Sequence, residues 1–98
     1  MAVVMRDDQF EWDDAKAAAN ITRHRVPFDA ARDAFDDPFA IGWLDDRERY
    51  GETRCVTLGM AEGRLLSVVH TMRDTRIRII SARGANPRER RLYHEQGD

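Results

Sequence analysis

The chain has 98 residues, 42% hydrophobic and 35% charged, with a formal net charge of −2, a length that fits one domain burying about 60–65% of its unfolded surface. Its one cysteine, Cys55, excludes an internal disulfide, and no apolar run nears the ~20 residues of a membrane span. The start Met1–Arg6 is too short for a signal peptide, so a soluble, cytoplasmic protein forming a single domain over residues 1–98 is expected.

Residues 1–9 show no periodic pattern and are expected to lack regular structure, with Phe10-Glu11-Trp12 able to form a short edge strand. Asp13 precedes a helical run from Asp14 to about His24, with Ala17, Ala18 and Ile21 at helical spacing and Asp13 placed as the N-cap. Val26-Pro27-Phe28 breaks that run. Phe28, Ala31, Ala34 and Phe35 then trace one side of a second helix, which Asp36-Asp37-Pro38 ends. Residues 39–44 read as a first main strand, 45–52 as a charged loop, 54–60 as a second strand, 61–63 as a turn and 65–72 as a third strand. Asn86-Pro87-Arg88-Glu89 places a capping residue, a proline at the first helical position and a glutamate three residues beyond the cap, predicting a helix to about Glu95 with Leu92 as its apolar anchor.

The most regular stretch is Thr75-Arg76-Ile77-Arg78-Ile79-Ile80-Ser81-Ala82-Arg83, where arginine alternates with isoleucine. A period of two puts Ile77 and Ile79 on a core and Arg76 with Arg78 on the opposite surface, about 7 Å apart. By the same parity Arg83 falls on the isoleucine side unless a bulge near Ser81 reverses it. The elements together predict an α+β fold: two N-terminal helices, a four-stranded, mainly antiparallel sheet and a C-terminal helix. Phe28, Phe35, Ile41, Val56, Leu58, Val68, Ile77, Ile79 and Leu92 are its expected core.

Charge separates the two halves of the chain. Residues 1–50 hold 12 acids and 7 basic residues, a net −5, whereas residues 51–98 hold 6 and 9, a net +3. Of the 16 basic residues only Lys16 is lysine, a bias that suits planar, bidentate phosphate recognition and equally suits a GC-rich gene. Adjacent acid pairs such as Asp36-Asp37 and Asp45-Asp46 diverge on any regular element and read as caps and turns. No His or Cys has a partner at metal-ligand spacing, and there is no phosphate-binding glycine loop or nucleophile elbow. No cofactor is implied.

A strand and a terminal helix rich in arginine suit cleavage of RNA, because the substrate's own 2′-OH attacks the neighbouring phosphate. The protein then supplies positioning, cations and at most one proton shuttle. Arginine cannot be that shuttle. His70 is the first candidate, with Tyr93, His94 and Glu52 as substitutes. Against this stand the plainer readings, a half-buried packing role for His70 and an ordinary solvated face for Arg76 and Arg78.

Several strings converge on one pattern. They are Phe10-Glu11-Trp12-Asp13, Lys16, Asn20 and His24, Val26-Pro27-Phe28, Phe35-Asp36-Asp37-Pro38, Tyr50-Gly51-Glu52, Gly59, the arginine strand through Ser81-Ala82-Arg83, and Glu89-Arg90. Over roughly residues 10–95 the chain resembles BrnT-type toxins of bacterial type II toxin–antitoxin systems. The resemblance implies a RelE-like ribonuclease fold, growth arrest through RNA cleavage, and neutralisation by a BrnA-type antitoxin that also binds operator DNA, the toxin meeting that DNA only through the antitoxin. It implies His70, Arg76, Arg78, Arg83 and Tyr93 around the scissile phosphate, with Arg54, Lys16, Arg90 and Arg91 contacting RNA. Arg25 stands where relatives often have glycine. The competing expectation is a decayed toxin, a non-enzymatic nucleic-acid or protein-binding module of the same fold.

Overall fold

A computed structural model of the protein describes residues 4–7, 9–49 and 52–96. Six strands form one mixed sheet: β1 (Val4–Arg6), β2 (Phe10–Asp13), β3 (Ile41–Arg49), β4 (Glu52–Ala61), β5 (Arg64–Arg73) and β6 (Arg76–Gly84), in the spatial order β1-β2-β6-β5-β4-β3. The helices are α1 (Asp14–His24), α2 (Phe28–Arg32), which tightens into a 3-10 turn over Asp33–Asp36, and α3 (Pro87–Glu95).

The α+β class and the antiparallel run β3-β4-β5-β6 match the expectation, and the strand count does not. Phe10–Asp13 lies parallel to β6, pairing Phe10 with Ile77 and Glu11 with Arg78, and Val4–Arg6 pairs antiparallel to it. Phe10–Trp12, expected as a short edge strand, is a strand but lies inside the sheet, and Val4–Arg6, expected to lack regular structure, adds the strand at the edge. Parallel pairing of segments more than sixty residues apart leaves no local signature, which is why a sequence reading stops at four strands. The expected charged loop is shorter as well: Asp45 pairs with Arg54 and Arg49 with Glu52 in a long hairpin, while Tyr50 and Gly51 lie outside the described residues.

The helices cover the two faces of the sheet unequally. On one face α1, α2 and the 3-10 turn bury Phe10, Trp12, Val26, Phe28, Leu66, Val68, Ile79 and Ala82, with Phe35 and Ile77 packed at the margin. Contact is close at Gly59, where an added Cβ would lie 2.1 Å from the Ala34 carbonyl oxygen. On the other face α3 covers only one end, through a smaller cluster of Leu58, Ala85 and Tyr93 with Ile41 and Leu65. Leu92, expected in the core, is 41% exposed and Tyr93 takes its place; Ile21 on α1 is likewise exposed at 47%, and Asn20 is the buried residue of that helix.

Local chemistry explains the helix ends. Asp13 accepts hydrogen bonds from the Ala15 and Lys16 amides at 2.8 and 3.1 Å. Asn86 and Glu89 form the predicted capping box, with Pro87 in the first turn of α3. α1 stops at Arg25, which adopts φ 58° and ψ 36° and donates its amide to the Ile21 carbonyl. This left-handed cap is a position glycine fills without steric cost.

One irregularity decides where the arginines go. Val69 pairs with Ser81 and His70 pairs with Ile79, so Ile80 is an extra residue in β6, a β-bulge. Before it Ile77 and Ile79 share the face of α1 and α2; after it Ala82, opposite Val68, occupies that face. Ser81 and Arg83 are thereby placed with Arg76 and Arg78 on the other face, because directly opposed residues in a ladder share a side.

Candidate anion-binding site

Beyond the end that α3 covers, the second face carries a polar, mostly charged row running across the strands, with Thr71 and Glu11 buried and Arg54 and Arg78 half-buried. Asp45 on β3 opposes Arg54 on β4, Thr71 on β5 opposes Arg78 on β6, and Arg78 opposes Glu11 on β2. Arg54 and Arg78 stand two strand spacings apart, roughly 10 Å, with Thr71 between them. The Arg78 guanidinium meets the Glu11 carboxylate at 2.5 Å, and the two side chains are 17% and 7% exposed. Arg54 Nε lies 3.6 Å from Glu52 Oε1, is buried, and makes no hydrogen bond among the described residues. Thr71 donates its hydroxyl proton to the Thr53 carbonyl at 2.6 Å, tying β5 to β4 beside Arg54.

Arg83 reaches the same face but is committed to α3. Its guanidinium forms a fork with Glu89 at 2.8 and 3.0 Å and also donates to the Gly84 carbonyl. Burial pushes the Glu89 carboxyl up, yet the bonds from Arg83, the Asn86 amide and Ser67 more than offset this and hold it below the usual glutamate range. Glu89 therefore stays ionised and fixes the planar cation in one orientation. Arg76 donates Nε to the Asp7 carbonyl at 2.6 Å, fastening the start of β6 to the N-terminal segment. The Asp7 carboxylate accepts the Phe10 and Gln9 amides and pairs with Arg32 at 2.8 Å, which together hold it below its ordinary value.

His70 is separated from all of these. It shares the opposite, helix-covered face with Ile79, its Nε2 lies 2.9 Å from Thr57 Oγ1, and its ring meets the Phe35 ring edge-on at 4.9 Å. Nδ1 is buried without a partner among the described residues, and burial pushes the imidazole below its ordinary pKa of 6.5, so the ring is neutral at neutral pH. Tyr93 is only 8% exposed and donates its hydroxyl to Asp37 Oδ2 at 2.5 Å; burial and the neighbouring carboxylate raise it to about 12. Asp37 also accepts the Met60 amide at 2.7 Å and the Phe39 amide at 2.8 Å, closing the edge of β4 just beyond the Ile41–Leu58 pair.

Of the nine residues expected to serve RNA, the structure thus gathers Arg54 and Arg78 in one row, with Arg83 further along the same face. His70 lies on the other side of the sheet, and Tyr93 lies beneath α3. Lys16 is exposed on α1, and Arg90 and Arg91 are exposed on α3, where Arg90, Arg91, His94 and Glu95 border a shallow depression. Among the proton-shuttle candidates only Glu52 adjoins the arginine row.

Sequence reasoning assigned no role to two residues that it quoted within the family pattern. Glu11 holds Arg78, and the Glu-Trp alternation of β2 was its only signal. Asn20 joins α1 to the free edge of β6, its amide accepting from the Ala82 amide at 3.1 Å and donating to the Ala82 carbonyl at 2.8 Å, as a neighbouring strand would, and to the Val26 carbonyl at 2.9 Å. A lone asparagine within a helical run gives no hint of this. Among the described residues no group of three His, Cys, Asp or Glu side chains is placed to hold a metal ion, and no helix is long and apolar enough to cross a membrane.

Fold and site together define a small α+β protein with one sheet face that carries Arg54, Arg78 and Arg83, each beside a carboxylate. Residues 12–89 match the family model described as the ribonuclease toxin BrnT of type II toxin–antitoxin systems. The chain belongs to this family, a class of ribonuclease toxins with a protein antitoxin as partner and RNA as substrate. No curated protein matches the chain closely.

Proposed function

We propose that the protein is an endoribonuclease toxin of RelE-like type that cleaves RNA, without a metal ion, at the charged row on the second face of its sheet. The observation that carries this reading is the placement of Arg54 and Arg78 on one face of the sheet on either side of Thr71. A phosphodiester lying over Thr71 would be within reach of both guanidinium groups. The 2′-oxygen attacks the adjacent phosphorus, the bond to the 5′-oxygen breaks, and the extra charge on the phosphoryl oxygens is held by cations fixed beforehand. Glu52, beside Arg54, takes the proton from the 2′-OH, and water supplies one to the leaving oxygen. Glu11 is a positioning residue, keeping the Arg78 guanidinium in place between turnovers. Arg83, Arg76, Lys16 and Arg91 contribute to holding the RNA, whereas His70 and Tyr93 serve packing.

A BrnA-type antitoxin would silence the enzyme by covering this face. Trp43, 39% exposed, and Leu92, 41% exposed, flank Arg88 in a depression of about 360 Å³ next to Glu89. An antitoxin segment with an apolar anchor and an acidic neighbour fits that surface, and operator DNA would be met through the antitoxin alone. The setting is the cytoplasm, where RNA is.

The test is single-turnover cleavage of an RNA by wild type and by Arg78→Ala, with folding checked by circular dichroism. Loss of one such cation should lower the saturated rate by about 10²–10³. Undiminished cleavage would reject the row as the site. A folded wild-type protein that binds RNA and antitoxin without cleaving would favour the non-enzymatic module.

A further inference from the structure

A second cationic feature lies at the far end of β6, past the bulge, along a different part of the surface. Arg23 and His24 from the last turn of α1, Arg64 from the start of β5, Arg83 from β6 and Arg90 from α3 line a groove of about 630 Å³. Four elements thus place four guanidinium groups and an imidazole around one opening, and none of the described residues lining it is acidic. Only Arg83 has a carboxylate partner; Arg23, Arg64 and Arg90 make no ion pair among the described residues. Holding like charges together without counter-charges disfavours the folded state unless an anion completes the site.

Gly84 bears on the same point. It is not among the residues with a left-handed backbone, so conformation does not demand glycine there. A Cβ at this position would lie 2.9 Å from Arg64 Nη2 and 3.3 Å from Arg64 Nε. The missing side chain lets the Arg64 guanidinium lie close over the strand at the floor of the groove. Arg83 is held by its fork to Glu89, so two of the four arginines are set in place before any ligand arrives.

We infer that this groove is an anchoring site for the sugar-phosphate backbone of single-stranded RNA, separate from the cleavage row and engaging nucleotides beside the scissile phosphate. Arg78 and Arg83 are five residues apart along one strand, about 16 Å, so a single chain can lie on both regions at once. Arginine suits this task because its planar donors pair with two phosphate oxygens together. The inference rests on the chain's being an RNA-cleaving protein, and it adds where the substrate is gripped.

The experiment uses the full chain and a fully 2′-O-methylated single-stranded RNA, which lacks the attacking hydroxyl and cannot be cleaved. Affinity is measured by fluorescence anisotropy across a salt series for wild type and for Arg23→Gln/Arg64→Gln/Arg90→Gln. The triple variant should bind at least tenfold more weakly, and its salt slope should fall by about 2, because each lost phosphate contact to a single strand removes about 0.7. Each exposed arginine is also replaced singly, and each single variant should lower the slope by about 0.7, so the outcome does not hinge on the triple variant staying folded. With cleavable RNA, the loss should fall on the half-saturating RNA concentration more than on the saturated rate. Wild-type affinity and slope in the variants would overturn the inference. So would unchanged RNA binding with lost antitoxin affinity, which would make the groove a protein interface. Failure of wild type to cleave any RNA, with the slope change intact, would refute the ribonuclease reading while leaving the groove as an RNA site.

Discussion

The two faces of the sheet come from the same strands, yet they differ in what they bury. On the face of α1 and α2, small residues admit the helices at close range, and Ala34, Leu66, Val68, Ile79 and Ala82 lose nearly all contact with water. On the other face α3 covers one end alone, and beyond it Arg54, Thr71, Arg78 and Glu11 form a polar row. His70 and Thr71 are adjacent in sequence, but the first packs against Phe35 and the second stands between two arginines. In a strand, one step in sequence decides whether a residue belongs to the core or to the chemistry.

The largest expected effect tests this polar row. Glu52→Gln keeps the shape of the side chain and removes its capacity to accept a proton, so the saturated cleavage rate should drop by about 10²–10⁴. A loss below threefold would remove Glu52 from the reaction and leave the two arginines as the whole of the site.

Next comes a close contact on the covered face, at Gly59. Gly59→Ala drives a methyl group to 2.1 Å from the Ala34 carbonyl oxygen, so the 3-10 turn must move off β4. Overpacking of this kind should cost about 3 kcal/mol, read from urea unfolding midpoints. A change under about 1 kcal/mol would show the two elements to be loosely joined.

His70 sharpens the comparison through pH. The folded state holds its imidazole below 6.5 by burial, while the unfolded chain takes up the proton near 6.5. The unfolded state then binds more protons in the window between those two values. Stability from this residue is complete above about pH 6.5 and falls as pH drops toward the lower folded value. His70→Leu should flatten that limb of the stability curve while leaving the saturated cleavage rate within threefold of wild type. A tenfold loss of rate would return histidine to the mechanism.

The smallest effect is at the end of α1. Arg25→Gly relieves a left-handed backbone at φ 58° and should raise stability by about 1 kcal/mol. Thermal unfolding checks this, and a loss of stability would mean that the arginine side chain contributes more than its backbone strain costs.

Much of the fold was legible because local chemistry announced it. The hairpins around Glu62-Gly63 and Asp74-Thr75, the Asp13 cap, the Asn86–Glu89 capping box and the alternation in β6 all depend on residues within a few positions of each other. The site was legible in part: Arg54 and Arg78 were named, but the carboxylate that holds Arg78 was not, since Glu11 meets it only through a pairing of β2 with β6. Tyr93 displaced Leu92 from the core because its hydroxyl has an acceptor in Asp37, fifty-six positions away.

Sequence by itself therefore determined the α+β class, the element order from α1 onward, the arginine character of the second half and the resemblance that the family match bears out. These follow from periodicity, capping and composition, which are properties of neighbouring residues. Only the tertiary structure decided that β2 lies against β6, that Ile80 is a bulge bringing Arg83 to the side of Arg78, and that His70 faces the helices. Each of these depends on strand register, which is set by contacts between segments far apart in the chain and reverses with a shift of a single residue.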